Sequence, residues 1–279
     1  MSGSDVPPGG PSPLVAMFDA VAESYDAVGV DFFQPIAAGL IHEVAPRPGD
    51  RALDVGCGRG AVLVPLARAV APGGTSAGID LSPRMVELAR VAIDDAAVTA
   101  TAAVDDAMAP GFEPASFEVV TSSLVLFFLP DPAVALAAWR ELLAPGGRIG
   151  VTTFGPYTEQ WRTAVDEVLQ RFGPDADGAR AKGRRGPFAS DEGMEELVRS
   201  AGFDEVRTAT ITIPVRFDDP EHWERWSRSV AQRSLWARIP AGDLDAVRSE
   251  LYAAVDGCRT SDGRVGFDQQ VRYTIALGS

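Results

Sequence analysis

A chain of 279 residues, 46% of them hydrophobic, is long enough for one large domain, or a domain plus a lid, around a sizeable core. Its formal charge of −14, from 39 acidic against 25 basic residues, lacks the positive footprint that nucleic acids and anionic membranes require, so neither is expected as a partner. Two cysteines, Cys57 and Cys258, are too few and too far apart for a disulfide framework or a zinc site; the acidic residues show no ligand spacing, and no metal is expected.

In chain order, 1–13 is Gly/Ser/Pro-rich, lacks the basic and apolar regions of a targeting signal, and is expected to be a disordered tail. No apolar run reaches membrane-spanning length, which points to the cytoplasm. Helices are predicted over 14–28 and 31–45, forming an N-terminal cap at 14–48; Phe18, Val21 and Tyr25 share one face of the first. Strand one, 51–56, enters a turn bearing Gly56, Gly58 and Gly60, and a helix follows at 59–71. Strand two, 76–80, leads to Ser82 and Pro83 as N-cap and N1 of the next helix. Strand three lies near 99–104, strand four at 117–122, a helix capped by Asp131 at 131–143, and strand five at 148–154. This alternation predicts an α/β fold with a doubly wound, mainly parallel sheet.

Beyond strand five the pattern gives a helix at 157–172 and a polar loop at 173–189 carrying Arg180, Lys182, Arg184 and Arg185. A helix opened by Ser190, strand six at 205–216 and strand seven at 267–276 complete it. Between the last two strands, 217–265 holds two amphipathic helices, one striped by Trp223, Trp226 and Val230, the other by Leu244, Val247, Leu251 and Val255. Ligands of open α/β sheets bind beyond the carboxyl ends of the strands, so this insertion reads as a helical lid over a domain formed by 49–216 and 266–279.

The glycines at 56, 58 and 60 let backbone amides approach a ligand that a Cβ would hold off. Asp80, ending strand two, is placed to accept from both hydroxyls of a ribose. An adenosine-bearing cofactor is therefore expected. Gly56-x-Gly58-x-x-Ala61 also satisfies the dinucleotide pattern of an NAD oxidoreductase. Asp54 separates the two: its carboxylate would repel a pyrophosphate but attract the ammonium and sulfonium of S-adenosylmethionine (SAM).

Further on stand Gly78-Ile79-Asp80-Leu81-Ser82-Pro83-Arg84-Met85, Asp105-Asp106-Ala107, Phe117-Glu118-Val119-Val120-Thr121-Ser122-Ser123 and Leu142-Leu143-Ala144-Pro145-Gly146-Gly147-Arg148. In this order and spacing the chain resembles the class I SAM-dependent methyltransferases. Within them it is similar to the small-molecule branch of ubiquinone/menaquinone-biosynthesis and bacterial natural-product enzymes. The resemblance implies a seven-stranded Rossmann-like sheet and SAM as cofactor, released as S-adenosylhomocysteine. It also implies that Asp54, Gly56, Gly58 and Gly60 surround the methionine part and Asp80 the ribose, while Leu81 and Met85 pack on the adenine. Asp106 and Ala107 would meet the adenine edge, with Asp105 a rival in register. Ser122 would offer backbone to the amino group, and Phe127 would close the pocket. Tyr25, in a Tyr25-Asp26 pair similar to the family's N-terminal motif, would reach the cofactor carboxylate or the acceptor, or pack on its helix.

Methyl transfer from a sulfonium needs chiefly alignment, and a base only where the acceptor must lose a proton. His42 reads as packed or solvent-facing. His222, in the first turn after Asp219 and Pro220, is the candidate base, because a helix N-terminus disfavours imidazolium; Asp218, Asp219 and Glu221 push the other way. Phe32, Phe33, Phe154, Trp161, Trp223 and Trp226 are the candidate substrate contacts and suggest an apolar or aromatic small molecule methylated at oxygen or carbon. Thr121-Ser122-Ser123-Leu124 replaces the Asp/Asn-Pro-Pro-aromatic turn of nucleobase amine methylation. Two other readings share the cofactor site: a pericyclic catalyst that transfers no methyl, and a peptide carboxyl methyltransferase hinted at by the arginines of 180–185.

Overall fold

The computed structural model describes residues 13–25, 28–171, 185–230 and 232–278. Two helices, α1 (Pro13–Val21) and α2 (Phe33–Val44), precede the sheet. Then come β1 (Arg51–Val55), α3 (Leu63–Val70), β2 (Thr75–Asp80), α4 (Pro83–Ala96), β3 (Ala100–Val104), β4 (Phe117–Ser123), α5 (Pro132–Glu141) and β5 (Leu143–Tyr157). A short helical run follows, α6 (Glu159–Trp161), a π-helical stretch Arg162–Asp166 and α7 (Glu167–Gln170), then α8 (Asp191–Ser200) and β6 (Phe203–Phe217). The insertion contributes α9 (Pro220–Ser229), α10 (Arg233–Trp236) and α11 (Leu244–Asp256) before β7 (Val265–Gly278).

The strands form one seven-stranded sheet in the order β3-β2-β1-β4-β5-β7-β6, parallel except for β7, which runs antiparallel to both neighbours. The chain reverses its direction of winding between β1 and β4, and the carboxyl ends of those strands open the crevice where such sheets bind ligands. The expected α/β class, doubly wound sheet and insertion between the last two strands are all present. So are the N-caps: Ser82 accepts from Met85 N, Asp131 from Ala133 and Val134 N, Ser190 from Gly193 N and Asp219 from His222 N. Each satisfies amides that the helix itself leaves orphaned.

Several boundaries move for identifiable reasons. The helix expected at 59–71 starts only at Leu63, because Gly60 holds φ at +92°, outside the helical region. The first helix stops at Val21 rather than 28, in turns closed by Ser24 and Tyr25 amides on the Val21 carbonyl. β6 runs to 15 residues because β7 pairs along its length, and β5 reaches 15 because it pairs with β7 out to Tyr157 and with Phe117 of β4 back at Leu143. The expected tail at 1–13 lies outside the described residues except for Pro13, as do Arg180, Lys182 and Arg184; Arg185 is exposed.

The insertion is seated by aromatic rings. Trp223 is buried against Trp161 of α6 and Trp226 against Phe217 and Phe267 of the sheet, and Trp226 also meets Phe32 at the start of α2. Inside the insertion, the buried carboxylate of Glu224 accepts from Arg228 (2.8 Å), Arg248 (3.0 Å) and Tyr252 (2.6 Å). Burial pushes that carboxyl up, but these hydrogen bonds outweigh it and hold it below the usual range. The clasp ties α9 to α11, so the insertion is itself a packed unit.

Candidate active site

A cavity of about 440 Å³ opens at the carboxyl ends of β1, β2 and β4, within the usual size range for small-molecule sites. Its floor is the turn after β1. The amides of Gly56 and Cys57 both donate to the Ile79 carbonyl (2.8 and 2.9 Å), which pins the turn to β2. Gly56 has φ +71°, and a Cβ there would come within 2.4 Å of Val125 Cγ2 at the exit of β4. Gly56→Ala is therefore expected to displace the turn or Val125 and to abolish measurable SAM binding in calorimetry while leaving far-UV circular dichroism native-like. The φ penalty and the overlap fall on the same residue, which lines the cavity.

Two carboxylates face this floor. Asp80 accepts from the Gly58 amide through Oδ2 and from the Ser82 amide through Oδ1, both at 2.9 Å, so its orientation is fixed from two sides. Burial raises its carboxyl against those amide bonds. Asp54 is 1% exposed and accepts from Thr121 Oγ1 at 2.9 Å. Burial pushes it up to about 7; the Thr121 hydroxyl works against the rise and the nearby Asp80 adds to it. Neither carboxylate forms an ion pair among the described residues. With Asp105 and Asp106 also in the lining, four carboxylates stand against Arg59 and Arg68, and Arg59 is turned to the Glu23 and Tyr25 carbonyls, a balance that favours a cationic ligand and opposes a pyrophosphate.

Of the expected cofactor residues, Tyr25, Asp54, Gly56, Gly58, Gly60, Asp80, Leu81, Met85, Asp106 and Ala107 all line the cavity. The rivalry between neighbouring acids has a geometric side. Asp105 spends both oxygens on its own loop, accepting from the amides of Asp106 and Gly111 at 2.8 Å. Asp106 engages only Oδ1, with Met108 N at 2.8 Å.

Ser122 and Phe127 do not reach the cavity. Ser122 is 1% exposed and its hydroxyl donates to the Val55 carbonyl at 2.9 Å, while Phe127 stacks on Phe154 in the core. β4 extends one residue beyond the expected end, so Ser123, Leu124 and Val125 line the cavity instead. The 3₁₀ turn Leu126–Phe128 likewise turns Phe128, not Phe127, toward it.

Most of the expected substrate contacts are also elsewhere. Phe33 lines the cavity, but Phe32, Phe154, Trp161, Trp223 and Trp226 are buried where the insertion meets the sheet. Large rings on an amphipathic helix found a core to fill. His222 does not line the cavity. It is 7% exposed, its Nε2 sits 2.9 Å from the Val28 carbonyl, and its Nδ1 lies 3.3 Å from the Asp218 amide and 3.2 Å from the Asp218 carboxylate. Both ring nitrogens have partners, so the geometry does not support a base, and that expectation is corrected here.

What the cavity does hold at its outer side is a run of aromatic rings unrecognised as a group in the sequence. Tyr25 stacks on Phe33 with centroids 4.8 Å apart, and Phe18 meets Tyr25 edge-on at 6.3 Å and Phe128 at 5.3 Å. Four rings from α1, its following turn, α2 and the β4 exit thus make one wall. The i, i+7 spacing of Phe18 and Tyr25 was the available signal.

Comparison with known proteins bears on the same residues. Residues 53–151, from β1 into β5, match the family model described as a methyltransferase domain. Nocamycin O-methyltransferase of Saccharothrix syringae is 39% identical over 247 residues, covering 84% of this chain and 88% of that protein. The chain belongs to the class I SAM-dependent methyltransferases. A second relative of this methyltransferase, aklanonic acid methyltransferase DauC of Streptomyces sp. (strain C5), is 42% identical over 205 residues, 69% of this chain and 92% of that one. In fold, the methyltransferase is similar to the YcgJ protein of Bacillus subtilis, with a TM-score of 0.56 at 17% identity over 86% of this chain and 97% of the other. SAM is its cofactor, and the dinucleotide reading falls away. Its described helices include none long and apolar enough to cross a membrane.

Proposed function

We propose that this methyltransferase methylates an oxygen of a small aromatic metabolite, and that this oxygen is already an anion at neutral pH, such as a carboxylate or an acidic enol. The observation that carries this is the composition of the cavity. Among the described residues lining it there is no histidine, lysine or glutamate, and its carboxylates, Asp54, Asp80, Asp105 and Asp106, lie at the ends of β1, β2 and β3, where the cofactor is assigned. An ionised oxygen needs no proton acceptor from the protein, only alignment. The two relatives point the same way: one is named an O-methyltransferase and the other for its action on an acid.

Bound SAM supplies a methyl group on a positively charged sulfur. The chain's residues do the rest. Asp54 and the backbone of Ser123–Val125 hold the ammonium, Asp80 the ribose hydroxyls, and Leu81, Met85, Asp106 and Ala107 the adenine. Tyr25, Phe18, Phe33 and Phe128 hold a planar acceptor by stacking and edge contacts. α1 and α2 cap the site; the insertion, none of whose described residues lines the cavity, does not form the expected lid but braces that cap from behind through His222 and Arg233.

The test is a mass-spectrometric screen with SAM and a panel of aromatic polyketide acids, phenols and alcohols of graded acidity. Acids and acidic enols are expected to gain one methyl with stoichiometric S-adenosylhomocysteine, and the rate is expected to fall below each acceptor's own pKa. With SAM saturating at every pH, so that the titration of Asp54 does not enter, a rate limb at one fixed pH for acceptors of different acidity would instead reveal a protein base and overturn the assignment.

A further inference from the structure

One stretch of backbone, the last turn of α1 and the connection toward α2, receives side chains from separate parts of the fold. The Ala20 carbonyl accepts from Arg233 Nη1 of α10 at 2.7 Å. The Glu23 and Tyr25 carbonyls accept from Nη1 of Arg59, which belongs to the glycine turn; the Glu23 contact is 3.4 Å. The Val28 carbonyl, which can only accept, takes the proton of His222 Nε2 of α9 at 2.9 Å, while Nδ1 faces the Asp218 amide at 3.3 Å and the Asp218 carboxylate at 3.2 Å. Carbonyls past the end of a helix have no partner of their own, and here side chains supply them.

The grip comes from a stiff body. Trp236 Nε1 of α10 donates to Ser227 Oγ of α9 at 2.8 Å, and Arg228 lies 4.1 Å over the Trp236 ring. The Glu224 clasp then joins α9 to α11. The gripped stretch is not passive either, since it carries Tyr25 and connects Phe18 to Phe33, three of the four rings of the wall. On its cofactor side, Asp19 of α1 accepts from Ser82 Oγ, next to the amide that orients Asp80, and Glu23 pairs with Arg84.

We propose that His222 and Arg233 are positioning residues. Through the Val28 and Ala20 carbonyls they seat the stretch that bears the aromatic wall, and through Arg59 on the same stretch they couple the insertion to the glycine turn. Neither residue lines the cavity, yet the seating of the insertion and the occupancy of the cofactor site become one linked equilibrium. The role assigned to the wall rests on the function proposed above; the linkage to the cofactor does not.

The test uses the full chain with S-adenosylhomocysteine as probe, read by calorimetry and by hydrogen exchange. In the wild type the probe is expected to slow exchange across 18–33 and 220–236. His222→Leu and Arg233→Ala are each expected to weaken the probe's affinity about fivefold, the scale of one hydrogen bond, and to speed exchange at 18–33 with β4 and β5 unchanged. His222→Gln, whose amide nitrogen can donate to Val28, is expected to keep wild-type affinity. Faster exchange at 18–33 with unchanged affinity would reduce the contacts to local packing and overturn the linkage, as would a loss that His222→Gln fails to rescue. Arg233 is exposed, so Arg233→Ala gives the answer even where His222→Leu does not fold. Absence of probe binding by the wild type would count against the cofactor assignment, not against the tether.

Discussion

Asp80→Ala is expected to weaken binding of SAM and of S-adenosylhomocysteine alike, by about 30- to 100-fold, with little change in the melting temperature of the unliganded protein. Hydrogen bonds to a charged acceptor contribute about 1.5–3 kcal/mol each, and the ribose offers two donors. Part of that loss is returned, because Asp80 is a buried carboxylate whose ionisation burial disfavours, and its removal relieves the repulsion with Asp54. In the unliganded protein its substitution also leaves the amides of Gly58 and Ser82 without their carboxylate partner, and water entering the cavity can replace it. The stability terms therefore oppose each other, while the binding loss is only partly offset. Equal loss for both ligands is the diagnostic part: the two differ at sulfur, and Asp80 is assigned to the ribose. Calorimetry with each ligand measures it. A variant that loses SAM affinity but retains S-adenosylhomocysteine affinity would move Asp80 from the ribose to the sulfur end, and unchanged affinity for both would remove it from the site.

The parts of this site that were legible in the sequence are those fixed by local backbone chemistry. The glycine turn, Asp54 before it, Asp80 after β2 and the caps at Ser82, Asp131, Ser190 and Asp219 all declare themselves within a few residues, because each follows from which φ a residue tolerates and which amides a helix leaves open. What could not be read was which of two adjacent residues turns inward where regular structure ends. Ser122 against Ser123 and Phe127 against Phe128 were decided by one further residue of β4 and a 3₁₀ turn, and a shift of one residue exchanges the two faces of a strand. Trp161, Trp223 and Trp226 were legible as apolar stripes, but a stripe does not say whether a core or a ligand fills it. His222 was placed correctly in the first turn of its helix. Its partner, the carbonyl of Val28, lies far away in the chain, and no local pattern announces a contact of that kind.

Asp54 makes SAM affinity depend on pH in a direction that can be stated beforehand. In the unliganded protein its carboxyl titrates at about 7, so below that pH it is largely neutral and above it charged. The ligand's ammonium favours the charged form, so binding at pH 5–7 must release a proton from Asp54. The dissociation constant is expected to fall about tenfold per pH unit from 5 to 7, a change of about 1.4 kcal/mol per unit, and then to level off. Stability of the unliganded protein runs the opposite way. A carboxyl raised above its unfolded value of 3.8 leaves the native state holding more protons than the unfolded state between about 4 and 7, so the contribution of this group is lost as pH rises through that window. The increase in melting temperature produced by saturating SAM is therefore expected to be larger at pH 7 than at pH 5. Asp54→Asn should flatten both dependences, since the amide cannot titrate, while preserving the bond from Thr121. Calorimetry in two buffers of different ionisation enthalpy counts the proton directly, with about one released at pH 6 in the wild type and none in Asp54→Asn. Above about 7.7 the ligand's own α-amine begins to lose its charge, so the window below that value isolates Asp54. A dissociation constant that stays level from pH 5 to 7 would mean that Asp54 does not meet the ammonium, and the electrostatic basis for preferring a cationic cofactor in this crevice would have to be found in Asp80 alone.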